Sequence, residues 1–142
     1  MTTSYSYTHT VESDATPQAI WALYEDVTTW PDWDAQAERI TRDGPFQAGT
    51  TGTMKFIGQE PLAYRLAKVQ PQHEFVDETP VGPLIVRVSH VVDPLPDGRS
   101  RITYRAEIDG PEAEAQQVGP MITADFPQTM ATLIALAKER SS

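Results

Sequence analysis

Leu84-Ile-Val-Arg-Val-Ser-His-Val-Val-Asp-Pro-Leu-Pro-Asp-Gly-Arg-Ser-Arg-Ile-Thr-Tyr-Arg-Ala-Glu-Ile-Asp109 is the stretch that decides the fold. Successive side chains of a strand point to opposite faces, so a half-buried strand alternates apolar and polar residues. Leu84, Val86, Val88, His90 and Val92 fall on one face, and Ile102, Tyr104, Ala106 and Ile108 share a face of the next strand. The separator Asp93-Pro-Leu-Pro-Asp-Gly98 ends in Asp-Gly, a strong hairpin signal. If Val92 and Arg101 flank that loop, His90 lies opposite Thr103 or Tyr104. One imidazole therefore interrupts an apolar face.

The same extended pattern runs N-terminally. Strands are expected at 37–43, 51–58, 62–70 and 73–79, followed by 83–92 and 100–109. They are divided by Asp43-Gly-Pro45, Gly58-Gln-Glu-Pro61, Pro71 and Pro80-Val-Gly-Pro83. Tyr5, Tyr7, His9 and Val11 alternate with polar residues, which predicts a strand over 4–13. Thr16-Pro17 then reads as a cap followed by Pro at the first helical position. The helix it starts extends to about Val27, with Ile20, Leu23, Tyr24 and Val27 on one face and Trp21 beside them. Trp30-Pro-Asp-Trp33 forms a short second helix or turn. At the other end, Ile122, Phe126, Met130, Leu133 and Ala137 make a helical stripe over 117–140, with a kink or break expected at Pro127. A run of antiparallel strands with segregated helices is α+β. The expectation is one domain over 1–142, its seven strands forming a curved sheet that wraps a long C-terminal helix.

These residues resemble the START-like, helix-grip superfamily (SRPBCC) and its polyketide cyclase/dehydrase-like branch. The resemblance is carried by Val11-x-Ser-Asp-Ala-Thr-Pro17, Ile20-Trp21, Asp26-Val-x-x-Trp30-Pro-x-Trp33, Asp43-Gly44-Pro-Phe-x-x-Gly49-x-x-Gly52, Leu66-x-x-Val69-x-Pro71 and Asp125-Phe-Pro127-x-Thr-x-x-x-Leu133. It implies a large internal cavity open near the short helices and loops. It does not imply one activity, because members include aromatase/cyclases, carriers and co-chaperones. Aromatase/cyclases of the family typically use an Arg-containing pocket. Here Arg65, Arg87, Arg101 and Arg105 all fall on the face opposite the apolar residues.

Composition narrows the partners. The net charge is −9, with 11 basic and 20 acidic residues among 142. Nucleic-acid binding needs clustered Lys and Arg, so neither nucleic acid nor an anionic membrane is an expected partner. No apolar run approaches the ~20 residues that span a bilayer. The N-terminus lacks a secretory pattern, and a cytoplasmic location is the plain inference. Cysteine is absent, which removes thiolate chemistry. His9, His73 and His90 lack metal-ligand spacing, so no metal and no cofactor is expected. Gly49-Thr-Thr-Gly52-Thr lacks the Lys of a phosphate loop and leads into a strand.

The cavity that the resemblance implies is expected to take an apolar or aromatic small molecule. In a helix-grip fold its ligand-binding residues are expected among Trp33, Met54, Phe56, Tyr64, Val88, His90, Tyr104, Ile122, Phe126, Met130 and Leu133. Trp30 and Trp33 gate the mouth or anchor the short helix on the sheet. Catalysis, if present, would be acid–base chemistry of the cyclase or dehydratase type, with His90 as base or hydrogen-bond donor and Tyr104 as donor to an oxyanion. Tyr64 and His9 lie on faces that also turn inward, and Asp125 sits at the edge of the last stripe. A module whose interior is filled by its own side chains is the third alternative.

Overall fold

The fold is taken from a computed structural model that describes residues 3–141, the side chain of residue 141 aside. The ends of the expected 1–142 domain, residues 1, 2 and 142, lie outside the described residues. The strands are β1 (Thr3–Ser13), β2 (Ala37–Arg42), β3 (Thr51–Phe56), β4 (Leu62–Gln70), β5 (Glu74–Val81), β6 (Leu84–Pro94) and β7 (Ser100–Asp109). The helices are α1 (Pro17–Glu25), α2 (Trp30–Trp33), α3 (Glu112–Thr123) and α4 (Phe126–Ser141).

All seven strands join one curved antiparallel sheet in the order β1-β7-β6-β5-β4-β3-β2. β1 and β2 thus lie at opposite edges, and the chain between them, α1 and α2 included, crosses the full width of the sheet. Bulges in β1, β2 and β4 shift the register locally. A bulge adds a residue on one strand, which bends it and increases its twist.

Local chemistry accounts for the elements. The Thr16 hydroxyl accepts from the Ala19 amide at 3.1 Å, with Pro17 at the first helical position. The β6–β7 hairpin turns through Asp97 and Gly98, both at positive φ, and places His90 directly opposite Tyr104. Gly52 is required by contact rather than by conformation: a Cβ there would collide with the Thr41 carbonyl and the Tyr64 ring.

The C-terminal helical tract differs from the expectation in two ways. It begins at Glu112 rather than near 117, and it breaks at Ala124–Asp125 rather than at Pro127. The early start rests on packing that the polar run Glu112-Ala-Glu-Ala-Gln-Gln117 does not advertise. Ala115 is fully buried with Leu84, Val86 and Ile108, and Gly119 lies so close to the Tyr5 ring that a Cβ would overlap it. Pro127 becomes the second residue of α4, where its missing N–H is one the helix end leaves unpaired anyway. Met130, Leu133 and Ala137 then run down the buried side of α4, which packs on α1, α2 and β1.

Candidate functional site

A cavity of about 620 Å³ lies between the concave sheet face and the α3–α4 junction. Its floor comes from alternate residues of three neighbouring strands: Asp77 and Thr79 of β5, Val86, Val88 and His90 of β6, and Tyr104 of β7. Ile40, Met54, Phe56 and Leu62 form one wall. Trp30 and Trp33 form the second, and Val118, Ile122, Phe126 and Thr129 the third. Asp34, Gln36, Gln59, Met121 and Asp125 also border it. Met121 is 73% exposed, which places it at the open rim.

Both tryptophans border the cavity and hold the short helix in place. Each is at most 5% exposed, so each anchors the short helix. The Trp30 indole N–H donates to the Tyr24 carbonyl at 3.1 Å, and that of Trp33 to the Thr29 hydroxyl oxygen at 3.2 Å. The Thr29 hydroxyl in turn donates to the Leu23 carbonyl at 2.8 Å. With their polar ends satisfied, the rings are held rigidly and still present carbon to the cavity.

His90 is boxed by aromatic rings. It stacks on Phe75 at 4.0 Å and 5°, and meets Tyr104 edge-on at 4.7 Å and Tyr24 at 5.6 Å. Its Nδ1 has no hydrogen-bond partner among the described residues, and the nearest carboxylate oxygen, Oδ2 of Asp77, is 3.8 Å away. Burial lowers the imidazole to about 3, outweighing the nearby backbone of Phe75 and Val88. His90 is therefore neutral at physiological pH and a weak base. Tyr104 approaches the Tyr24 hydroxyl at 3.4 Å, and burial raises its phenol well above the ordinary value.

The group poised near neutrality is Asp77. It is 7% exposed, and its ion-pair partner, Nδ1 of His90, stands at 3.8 Å, beyond hydrogen-bond distance. Burial first, and the Asp34 charge second, push its carboxyl up to about 7. Burial also raises Asp34 and Asp125. The sequence reading missed Asp77. The available signal was alternation: Phe75, Asp77, Thr79 and Val81 share the inward face of β5, and the first three are buried.

Of the residues expected around a ligand, Trp33, Met54, Phe56, Val88, His90, Tyr104, Ile122 and Phe126 border the cavity together. Tyr64, Met130 and Leu133 do not. Tyr64 lies over Gly52 and donates to the Thr41 carbonyl at 2.7 Å. Met130 and Leu133 are wholly buried core, because only the first turn of α4 reaches the cavity. His9 pairs with Tyr104 in register and is half-buried, but does not border it. The four arginines stand on the outer face. Arg65 and Arg87 pair with Glu78, Arg87 also with Asp109, Arg101 with Glu12 and Arg105 with Glu107. Among the described residues no cluster of three or more His, Cys, Asp or Glu side chains could hold a metal ion, and no helix is long and apolar enough to cross a membrane.

A strongly bent antiparallel sheet closed by a C-terminal helix over an aromatic cavity defines the helix-grip class. The family described as polyketide cyclase / dehydrase and lipid transport matches residues 4–138, and the chain belongs to it. A norcoclaurine synthase from Thalictrum flavum, solved in complex with dopamine and hydroxybenzaldehyde, is 20% identical. That likeness covers 97% of this chain and 88% of that one, with a TM-score of 0.76. The Zhui aromatase/cyclase from a Streptomyces species is 12% identical, covering 97% and 96% of the two chains with a TM-score of 0.81. At these identities the likeness is one of fold. No curated protein matches the sequence.

Proposed function

We propose that this protein binds a compact aromatic or apolar small molecule in the cavity above β5–β7. The observation that carries the reading is the cavity of about 620 Å³, walled by Trp30, Trp33, Met54, Phe56 and Phe126, with Asp77, Thr79, His90 and Tyr104 on its floor. Apolar walls with a small number of placed polar groups are the usual make-up of a ligand site. Burying about 300 Å² of apolar surface on a guest of two or three rings contributes about 7 kcal/mol before the cost of association. The norcoclaurine synthase complex holds two single-ring aromatic ligands, dopamine and hydroxybenzaldehyde. An interior filled by its own side chains fits poorly with a void of this volume.

Native mass spectrometry of the freshly purified chain tests the proposal. A small-molecule adduct should be present, and it should be absent from Val88→Trp, in which an indole occupies the floor. An adduct retained by Val88→Trp would count against this location.

A second reading is acid–base catalysis, and Asp77 is what favours it. A carboxyl near 7, beside a neutral imidazole, can take and return a proton at neutral pH. On this reading Asp77 is the proton acceptor, and His90 and Tyr104 are neutral hydrogen-bonding groups. The lack of any Lys or Arg in the described lining argues against an anionic polyketide as the substrate.

A further inference from the structure

The charge of the lining narrows the class of guest, an inference that rests on the cavity being a binding site. Three carboxylates, Asp34, Asp77 and Asp125, border it, and among the described residues no lysine or arginine does. The one basic side chain, His90, is neutral there. A rim of acids alone would be ordinary solvation, and Asp34 and Asp125 are half-buried. Asp77 is different. It sits on the floor and is more than nine-tenths buried. The one nitrogen facing it, Nδ1 of His90, stands at 3.8 Å and is itself without a hydrogen-bond partner.

An unpaired buried carboxylate is costly unless something neutralises it and fills its acceptor sites. A protonated amine does both, having a full charge and up to three donors. A hydroxyl supplies one donor and no charge, and a carboxylate is repelled. The lining also holds the faces that a cation favours, since Trp30, Trp33 and Phe126 border the same space. We propose that the cavity takes an aromatic amine-bearing guest, its cationic nitrogen at Asp77 and its ring against the tryptophan wall.

Isothermal titration with tryptamine, tryptophol and indolepropionate tests this, because the three share a ring and differ in the charge of the tail. At about pH 8 tryptamine should bind roughly tenfold more tightly than tryptophol, and indolepropionate more weakly than both. Asp77→Asn, an isosteric change, should bring tryptamine down to the affinity of tryptophol, and Asp34→Asn should reduce the preference by a smaller factor. Equal affinity for tryptamine and tryptophol would overturn the proposal while leaving the cavity as a neutral-ligand site. So would a preference that survives both substitutions. If none of the three binds, or if all bind unchanged to Val88→Trp, the cavity reading falls and the amine proposal with it.

Discussion

Asp77→Asn should make the protein more stable, and by an amount that depends on pH. The carboxyl moves from an ordinary 3.8 in the unfolded chain to about 7 in the fold, chiefly through burial. The fold therefore prefers the protonated form. Below about pH 4 both states carry the proton and the group contributes no penalty. As pH rises from there the unfolded chain ionises first, and stability is lost until the folded carboxyl also ionises near pH 7. Every pH unit spent between those two values costs about 1.4 kcal/mol, so the full penalty is about 4 kcal/mol above pH 8 and about 1.5 kcal/mol at pH 5. Asparagine keeps the shape and never ionises. Urea denaturation followed by the fluorescence of the buried tryptophans measures the difference. At about pH 8 the midpoint should rise by about 2 M with an unchanged slope, and the gain should fade towards pH 4. A variant no more stable than the parent at pH 8 would mean that Asp77 is hydrated or paired, and an unsatisfied carboxylate could no longer be the reason for an amine preference.

Further expectations concern its neighbours. His90 should remain neutral in NMR titrations down to about pH 4, since burial holds it near 3, and a midpoint close to 6.5 would show a wetter site. Because its folded value is depressed, the fold should lose stability as pH drops below about 6.5, reaching about 4 to 5 kcal/mol near pH 3. Gly52→Ala should destabilise by about 1–3 kcal/mol in thermal melts, as the Thr41 backbone and Tyr64 ring must move, and a neutral effect would contradict that packing. Met130→Trp should also destabilise by about 1–3 kcal/mol, because Met130 is fully buried core rather than cavity wall, and an unchanged melt would place it at the void instead.

The strands were legible because period-two alternation is long and clean in β6 and β7, and it put His90 on the inner face opposite Tyr104. Trp30-Pro-Asp-Trp33 likewise announced a compact element. The start of α3 was hidden, since Ala115 and Gly119 make contact by being small and small residues leave no apolar stripe. Asp77 was hidden for a different reason. In Glu74-Phe-Val-Asp-Glu78 an acid among acids reads as solvated, while Val76 blurs the alternation that assigns Asp77 to the interior. Tyr64, Met130 and Leu133 carried the inward signal correctly, but facing inward does not distinguish packed core from cavity wall. That distinction depends on how far α1 and α4 extend over the sheet.

Methyl-resolved NMR during a tryptophol titration tests the cavity itself most directly. Val86, Val88, Ile122 and Met54 methyls should shift together and saturate, while the exposed Ile57 stays put. Shifts confined to Ile57 and Met121, or none at all, would contradict a guest seated above β5–β7.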